Sequence, residues 1–312
     1  MNFVVRYFSF VIILQVTQVI NLVASVDSDV TITLEQKQIM DKFRDVVSPR
    51  LPHDYMNQDI YLIRWLRAKK FDIKAAEAML MENLQWRKDN DIDNILTEDW
   101  SDFEAAFPYE IHGCDKEGRP VISMSTGEWN VRGILLSGKL ERAVRYYDKM
   151  FEETSTLIRQ AQKDGDNMTQ FNLIMDFSNW NLVVHACPLC VSLYIRFYQS
   201  LETHYPGSMH TVWCINVPQL FNALWQISKE FLSSDTQALI KIYGRGRDEW
   251  KQALLKRIDP DNLTVQYGGL NEEGLTMDEV KFLSGSDHSI KCSRMPSLRE
   301  KKRKLKEVSN SE

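Results

Sequence analysis

Apolar residues recur along this chain first at helical spacing and then at strand spacing. Thr33-x-x-Gln36 has the form of a capping box, and Met40, Phe43 and Val47 follow it on one helical face. Pro49 and Pro52 close that helix. A second helix is predicted from about Asp59 through Leu66. A third is predicted from Asp72 to Lys88, with Ile73, Ala76, Leu80 and Leu84 on its buried stripe. Short helices with close loops predict a helical bundle over about residues 33–100.

The period changes after Pro108. Tyr109–Cys114 and Pro120–Ser125 flank Asp115-Lys116-Glu117-Gly118-Arg119, a hairpin pattern with Gly near its turn. An amphipathic helix is predicted over Lys139–Lys163, burying Leu140, Val144, Tyr147, Phe151 and Ile158. Phe171–Phe177 reads as a strand, Leu189–Leu201 as a helix, and Thr211–Val217 as an almost wholly apolar run. The order strand, helix, strand predicts an α/β fold: the helical bundle, then a mixed, mainly parallel sheet with covering helices.

After Pro218 the apolar surface widens. Leu220, Leu224, Ile227 and Phe231 form one row, with Phe221, Trp225 and Leu232 in a second beside it. Such a helix either sits centrally in a core or covers something oily. Periodicity leaves both readings open.

Leu62-Ile63-Arg64-Trp65-Leu66-Arg67-Ala68-Lys69-Lys70-Phe71-Asp72, followed by Trp86-Arg87-Lys88, resembles the N-terminal helical segment of the CRAL-TRIO family. Asp115-Lys116-Glu117-Gly118-Arg119-Pro120-Val121 is similar to that family's opening hairpin. Tyr205-Pro206, Asn216-Val217-Pro218-Gln219-Leu220-Phe221, Phe231-Leu232 and Tyr267-Gly268-Gly269 follow in the family's order. The resemblance covers about residues 33–270. It implies a helical subdomain over 33–100 and a lipid-binding domain over 105–270, with a hydrophobic pocket floored by the sheet. It also implies a mobile gate helix, here Leu220, Phe221, Leu224, Trp225, Ile227, Phe231 and Leu232. On this resemblance the function expected is non-catalytic binding and intermembrane transfer of a phospholipid or other lipophilic molecule. A bound lipid, no other cofactor, transient contact with a membrane surface and a monomeric state go with it.

Members that bind phosphatidylinositol hold its headgroup with polar residues. The candidates here are Lys69, Lys70 and Thr236. Two positions depart: Gly207 stands where the family usually has Glu, and Leu239 where it usually has Lys. Losing both an acid and a base puts phosphatidylinositol in doubt and favours a less polar ligand.

Composition changes this picture little. Hydrophobic residues make up 44% and charged residues 26%, as in ordinary soluble domains. The net charge of −5 conceals a basic tail: Lys291–Lys306 carries eight Lys or Arg against one acid, net +7, leaving −12 for the remainder. An acidic body argues against nucleic acid as a partner. The tail, placed at 285–312, is expected to be disordered, with attraction to anionic lipid as its functional reading. Residues 1–25, with Arg6, an apolar stretch and then Ala24-Ser25, resemble a secretory signal peptide. A secretory or extracellular location is therefore favoured, with transient membrane association from the cytoplasm as the alternative. Asn167 and Asn262 open sequons that glycans can use if the chain is exported.

Other motifs carry less. Gly133–Lys139 has the spacing of a phosphate loop, but Leu140 occupies its Ser/Thr position. Cys187-Pro188-Leu189-Cys190 at a helix start reads as a structural pair, reduced or bridged, with a thiol oxidoreductase as the rival function it would carry; a lipid-sensing scaffold without transfer is the other. Five cysteines in a chain this long imply no disulfide framework. His185, His204 and His210 lack metal-ligand spacing, and no metal is expected. Asp176 reads as a satisfied polar residue or a helix cap.

Overall fold

The capping box at Thr33 is formed. The Gln36 amide donates to Thr33 Oγ1 at 3.2 Å, and the Thr33 amide donates to Gln36 Oε1 at 3.0 Å. The computed structural model describes residues 31–163, 165, 166, 168–276, 279, 280, 300, 302 and 303. The signal-like segment 1–25, Asn167 and most of the basic tail lie outside these residues. The chain divides into two units after Glu77.

The first unit contains α1 (Leu34–Val47), α2 (Asp59–Ala68) and the start of α3 (Ile73–Asp89). Met40, Phe43 and Val47 of α1 are buried, as the spacing predicts, and so are Leu62, Trp65 and Leu66 of α2. Lys70 and Phe71 both adopt left-handed backbone, with φ of 50° and 64°. This ends α2, and the Phe71 amide donates back to the Leu66 carbonyl at 2.7 Å.

The second unit follows in the order α4 (Ser101–Glu104), β1 (Tyr109–Cys114), β2 (Pro120–Met124), α5 (Val131–Leu136), α6 (Leu140–Lys163), β3 (Phe171–Asp176), α7 (Leu182–His185) and α8 (Pro188–His204). It closes with β4 (Met209–Ile215), α9 (Phe221–Ser228), α10 (Ser234–Leu239), β5 (Ile240–Ile242) and α11 (Arg247–Arg257). The five strands lie in chain order in one sheet. β1 and β2 pair antiparallel, while β2, β3, β4 and β5 run parallel. The predicted α/β class is the one found.

The hairpin turn has a local cause. Asp115 Oδ1 accepts from the Glu117 and Arg119 amides at 3.0 and 2.8 Å, and Gly118 takes φ 89°. Asp115 Oδ2 accepts from Asn172 of β3 at 2.8 Å, tying the turn to the centre of the sheet.

Alternation along the parallel strands separates two cores. Val121, Ile174, Trp213 and Ile215 pack against Trp250 and Leu254 of α11. Ile122, Leu173, Met175, Val212 and Cys214 belong to the larger core with α6 and α8. Gly133–Lys139 is no phosphate loop: Gly133 lies inside α5, and its amide donates to Asn130 at 3.0 Å.

Disulfides correct the reading from cysteine number. Cys187 and Cys190 are bridged, with Cα atoms 4.9 Å apart, and Cys114 is also disulfide-bonded. A four-residue bridge across a helix start needs no framework around it. From the tail, which the sequence reading expects to be disordered, Lys302 is described. Its ammonium pairs with Glu273 and Glu279 at 3.2 and 2.8 Å.

Candidate functional site

The larger sheet face provides an apolar floor. Leu173 and Met175 of β3 lie beside Met209, Val212 and Cys214 of β4 at the base of a small cavity. Phe197, Tyr198 and Leu201 of α8 form one wall. Thr236 and Leu239 of α10, with Ile240, form the other. Two consecutive helical positions and a third one turn on face the same space because α8 lies along the sheet.

The cavity is about 10 Å³, room for one water. A lipid-sized space is expected from the resemblance; this cavity is smaller, and Met175, Met209, Phe197 and Leu239 are among the side chains that line it. Two of these are methionines, whose unbranched chains re-pack readily. Cys214 is free and buried, and burial pushes its thiol up to about 12.

The predicted gate segment is not one helix. α9 ends at Ser228, and Lys229–Phe231 tightens into a turn of 3₁₀ helix. Gln237 of α10 stabilises that end: its Nε2 donates to the carbonyls of Lys229 and Leu232, both at 3.0 Å. The two apolar rows also partition differently from the sequence reading. Phe221, Leu224 and Leu232 are buried, Trp225 is half-buried, and Leu220, Ile227 and Phe231 are exposed by 61%, 52% and 39%. One apolar face of the segment therefore turns inward and another outward.

Beneath α9 lies an aromatic group absent from the sequence reading. Phe221 meets Phe177 edge to face at 4.8 Å and Trp180 at 6.0 Å. Trp180 in turn stacks on His185 of α7, with ring centroids 5.7 Å apart. Tyr194 and Tyr198, one turn apart on α8, complete the group; burial raises the pKa of both phenols. Their four-residue spacing within the predicted helix was the available signal.

The headgroup candidates stand apart in character. Lys69 and Lys70 are exposed at the end of α2 in the first unit. Thr236 lines the cavity, but its Oγ1 accepts from Ser233, the residue capping α10, at 3.1 Å. Leu239 places hydrocarbon in the cavity wall. Gly207 occupies a tight turn at φ 68°, where its carbonyl accepts from Gln170 at 3.1 Å.

The remaining candidates are structurally accounted for. Asp176 accepts from the amide and hydroxyl of Ser178, from Asn216 and from Gln266, at 2.8 to 2.9 Å. Cys187 caps α8, its sulfur accepting from the Cys190 amide at 3.1 Å, and Cys190 is fully buried. The Asn262 side chain lies against Gly113, with Leu263 and Thr264 buried behind it. Among the described residues no group of three His, Cys, Asp or Glu side chains is placed to hold a metal ion. No described helix is long and apolar enough to cross a membrane.

Comparison with known proteins agrees with this arrangement. Residues 106–269 match the CRAL/TRIO domain. The chain is 30% identical over 259 residues to "Protein real-time" of Anopheles gambiae, an alignment covering 82% of this chain and 35% of the mosquito protein. It is 30% identical over 266 residues to the phosphatidylinositol/phosphatidylcholine transfer protein SFH4 of Arabidopsis thaliana, covering 78% and 42%. The chain thus spans well under half the length of these curated relatives. The crystal structure of Sfh5 superposes with a TM-score of 0.62 at 13% identity, covering 80% of this chain and 91% of that one. At that identity the likeness concerns the fold alone.

Proposed function

Because the chain belongs to the CRAL/TRIO domain family, we propose that it is a non-catalytic carrier that holds one lipophilic molecule against the larger sheet face and exchanges it with membranes. The observation that carries this reading is the segment Leu220–Leu232. It presents buried apolar residues inward and Leu220, Ile227 and Phe231 to the outside. A segment with two apolar faces and a polar interruption suits a gate that covers a ligand when closed and meets a bilayer when open.

The energetics of such a carrier are undemanding. Each buried CH₂ of a lipid gains roughly 0.8 kcal/mol relative to water. The same group gains about as much in a bilayer, so extraction is close to neutral and needs no energy source. What the protein must do is lower the barrier at the membrane. Loading at this cavity would then need its α10 wall to move outward, since the space it encloses among the described residues is water-sized.

The Arabidopsis relative's name specifies phosphatidylinositol and phosphatidylcholine. For this chain we favour a less polar ligand: Leu239 lines the wall where a cation would serve a phosphate, and Gly207 offers no carboxylate. The partners are then the lipid and, transiently, a membrane surface, with the protein acting as a monomer. Disulfides at Cys114 and Cys187–Cys190 fit an oxidising compartment.

The test is direct. Purified protein is stripped of lipid, incubated with vesicles of mixed cellular lipids, re-isolated and extracted for mass spectrometry. One lipophilic molecule per chain is expected. Recovery of none overturns the carrier reading.

A further inference from the structure

We propose that Lys302 is a latch: its ammonium, seated among Glu110, Glu273 and Glu279 at the edge of the sheet, holds the basic tail, and an anionic phospholipid surface competes with those carboxylates for it. One ammonium cannot serve both, so the tail attaches to a membrane in full only when the latch is open. The inference does not depend on the carrier reading.

β1 is an edge strand. Its outer side is closed by the chain beyond α11: the Ile111 and Leu275 amides donate to each other's carbonyls at 2.7 and 2.9 Å. That closure satisfies backbone groups a bare edge would leave unpaired. Acids gather around it. Glu110 of β1 is half-buried, and a Cβ placed on Gly274 would meet its Oε2 at 2.8 Å, so this carboxylate lies against the Gly274 backbone. Glu273 precedes that glycine. Glu279 is turned back by a reciprocal cap: the Thr276 amide donates to Glu279 Oε2 at 2.9 Å, and the Glu279 amide donates to Thr276 Oγ1 at 3.2 Å.

Three carboxylates so placed repel one another and call for a cation. Burial raises the pKa of Glu110, and Glu273 and Glu279 add to the rise, against Lys302 and the Gly274 amide. The tail supplies the cation. Lys302 Nζ lies 2.8 and 2.9 Å from the two carboxylate oxygens of Glu279 and 3.2 Å from Glu273. It also donates to the Gly274 carbonyl at 3.2 Å. These partners occupy the three protons of the ammonium, and the side chain is only 14% exposed. An isolated surface pair contributes little, but a shielded ammonium shared by several acids is held more firmly. Lys301, Arg303 and Lys304 adjoin it in sequence. Each Lys or Arg near an anionic leaflet strengthens attachment about fivefold. An ammonium turned into the glutamates gives none of that.

Full-length protein is floated with vesicles of phosphatidylcholine, with or without phosphatidylserine. Glu273→Gln with Glu279→Gln should tighten attachment to the phosphatidylserine vesicles at least about fivefold more than a control pair does. The control, Asp45→Asn with Glu82→Gln, removes the same charge from exposed positions elsewhere. In a Lys302→Gln background the two pairs should act alike. Without vesicles, trypsin should cut after Lys302 at least about tenfold faster in the Glu273/Glu279 variant, because cleavage follows local opening. Glu273→Gln alone leaves the Thr276 cap in place and should shift both readouts in the same direction. Attachment that rises no more than in the control pair overturns the latch. So does an advantage that survives in the Lys302→Gln background, which would assign it to the charge of the body, and so does equal cutting by trypsin. None of these measurements involves lipid uptake, so the carrier reading stands or falls separately.

Discussion

Phe221 meets Trp180 edge to face, with ring centroids 6.0 Å apart. The contact joins the start of α9 to the loop after β3, so the inward side of the Leu220–Leu232 segment rests on aromatic rings. Its outward side has no such support: Ile227 and Phe231 are exposed. The two sides can therefore be separated by mutation. Ile227→Asp with Phe231→Asp should leave the melting midpoint within a degree or two, as surface changes generally do. On the proposed carrier reading, the rate of lipid transfer between vesicles should fall at least about tenfold, because the outward face would lose a favourable contact with the bilayer. Stopped-flow transfer of a fluorescent lipid measures this, and an unchanged rate would remove the outward face from the mechanism.

Asp148 is buried in α6, where it accepts a hydrogen bond from the Ser200 hydroxyl of α8. Burial raises its pKa to about 7, and nearby Glu152 adds to the rise, against the Ser200 hydrogen bond and Arg145 and Arg196. The folded state thus holds a proton that the unfolded chain releases near pH 4. Stability from this group is complete below pH 4 and is lost as pH rises through about 7. Asp148→Asn should therefore stabilise the protein at pH 8, by an amount on the order of a few kcal/mol. It should also flatten the decline between pH 4 and 7. Urea unfolding of both proteins at several pH values tests the sign.

Much of the fold was legible because its causes are local. The Thr33–Gln36 box, the Asp115–Arg119 turn and the apolar run of β4 each rest on residues close in sequence. The Leu220–Leu232 segment was not legible in full. Its break at Ser228 depends on Gln237 reaching back from the next helix to two carbonyls. Periodicity also could not say which apolar row faces inward. The Trp180–His185–Tyr194 group draws on a loop and two helices, so no single spacing marks it. The size of the cavity depends on side-chain conformations, above all of Met175, Met209 and Leu239, that composition does not specify.

The cysteines offer a check on both chemistry and enclosure. Cys187 and Cys190 are bridged, Cys114 is disulfide-bonded, and Cys214 is a buried thiol whose pKa burial pushes up to about 12. In native protein at pH 8, iodoacetamide should label none of these four. Denaturation should expose Cys214, and only added reductant should expose the other three, as peptide mass mapping would report. On the carrier reading, the protein should also fail to accelerate insulin reduction. Acceleration that Cys190→Ser abolishes would instead make the Cys187–Cys190 pair an oxidoreductase centre.

Leu239 is the position at which ligand class can be interrogated most sharply. It lines the cavity beside Thr236, at the position where the resemblance drawn from the sequence implies Lys in members that bind phosphatidylinositol. Leu239→Lys would bring an ammonium into an otherwise apolar wall. No carboxylate answers it at residue 207, where Gly holds φ 68° and a Glu would be strained by about 1 kcal/mol or more. An uncompensated charge in such a wall is costly. The variant should melt at lower temperature and take up at least about tenfold less hexadecanol, without gaining phosphatidylinositol uptake from vesicles. If the single substitution confers that uptake, the missing acid at Gly207 was never the obstacle, and the argument for a less polar ligand fails.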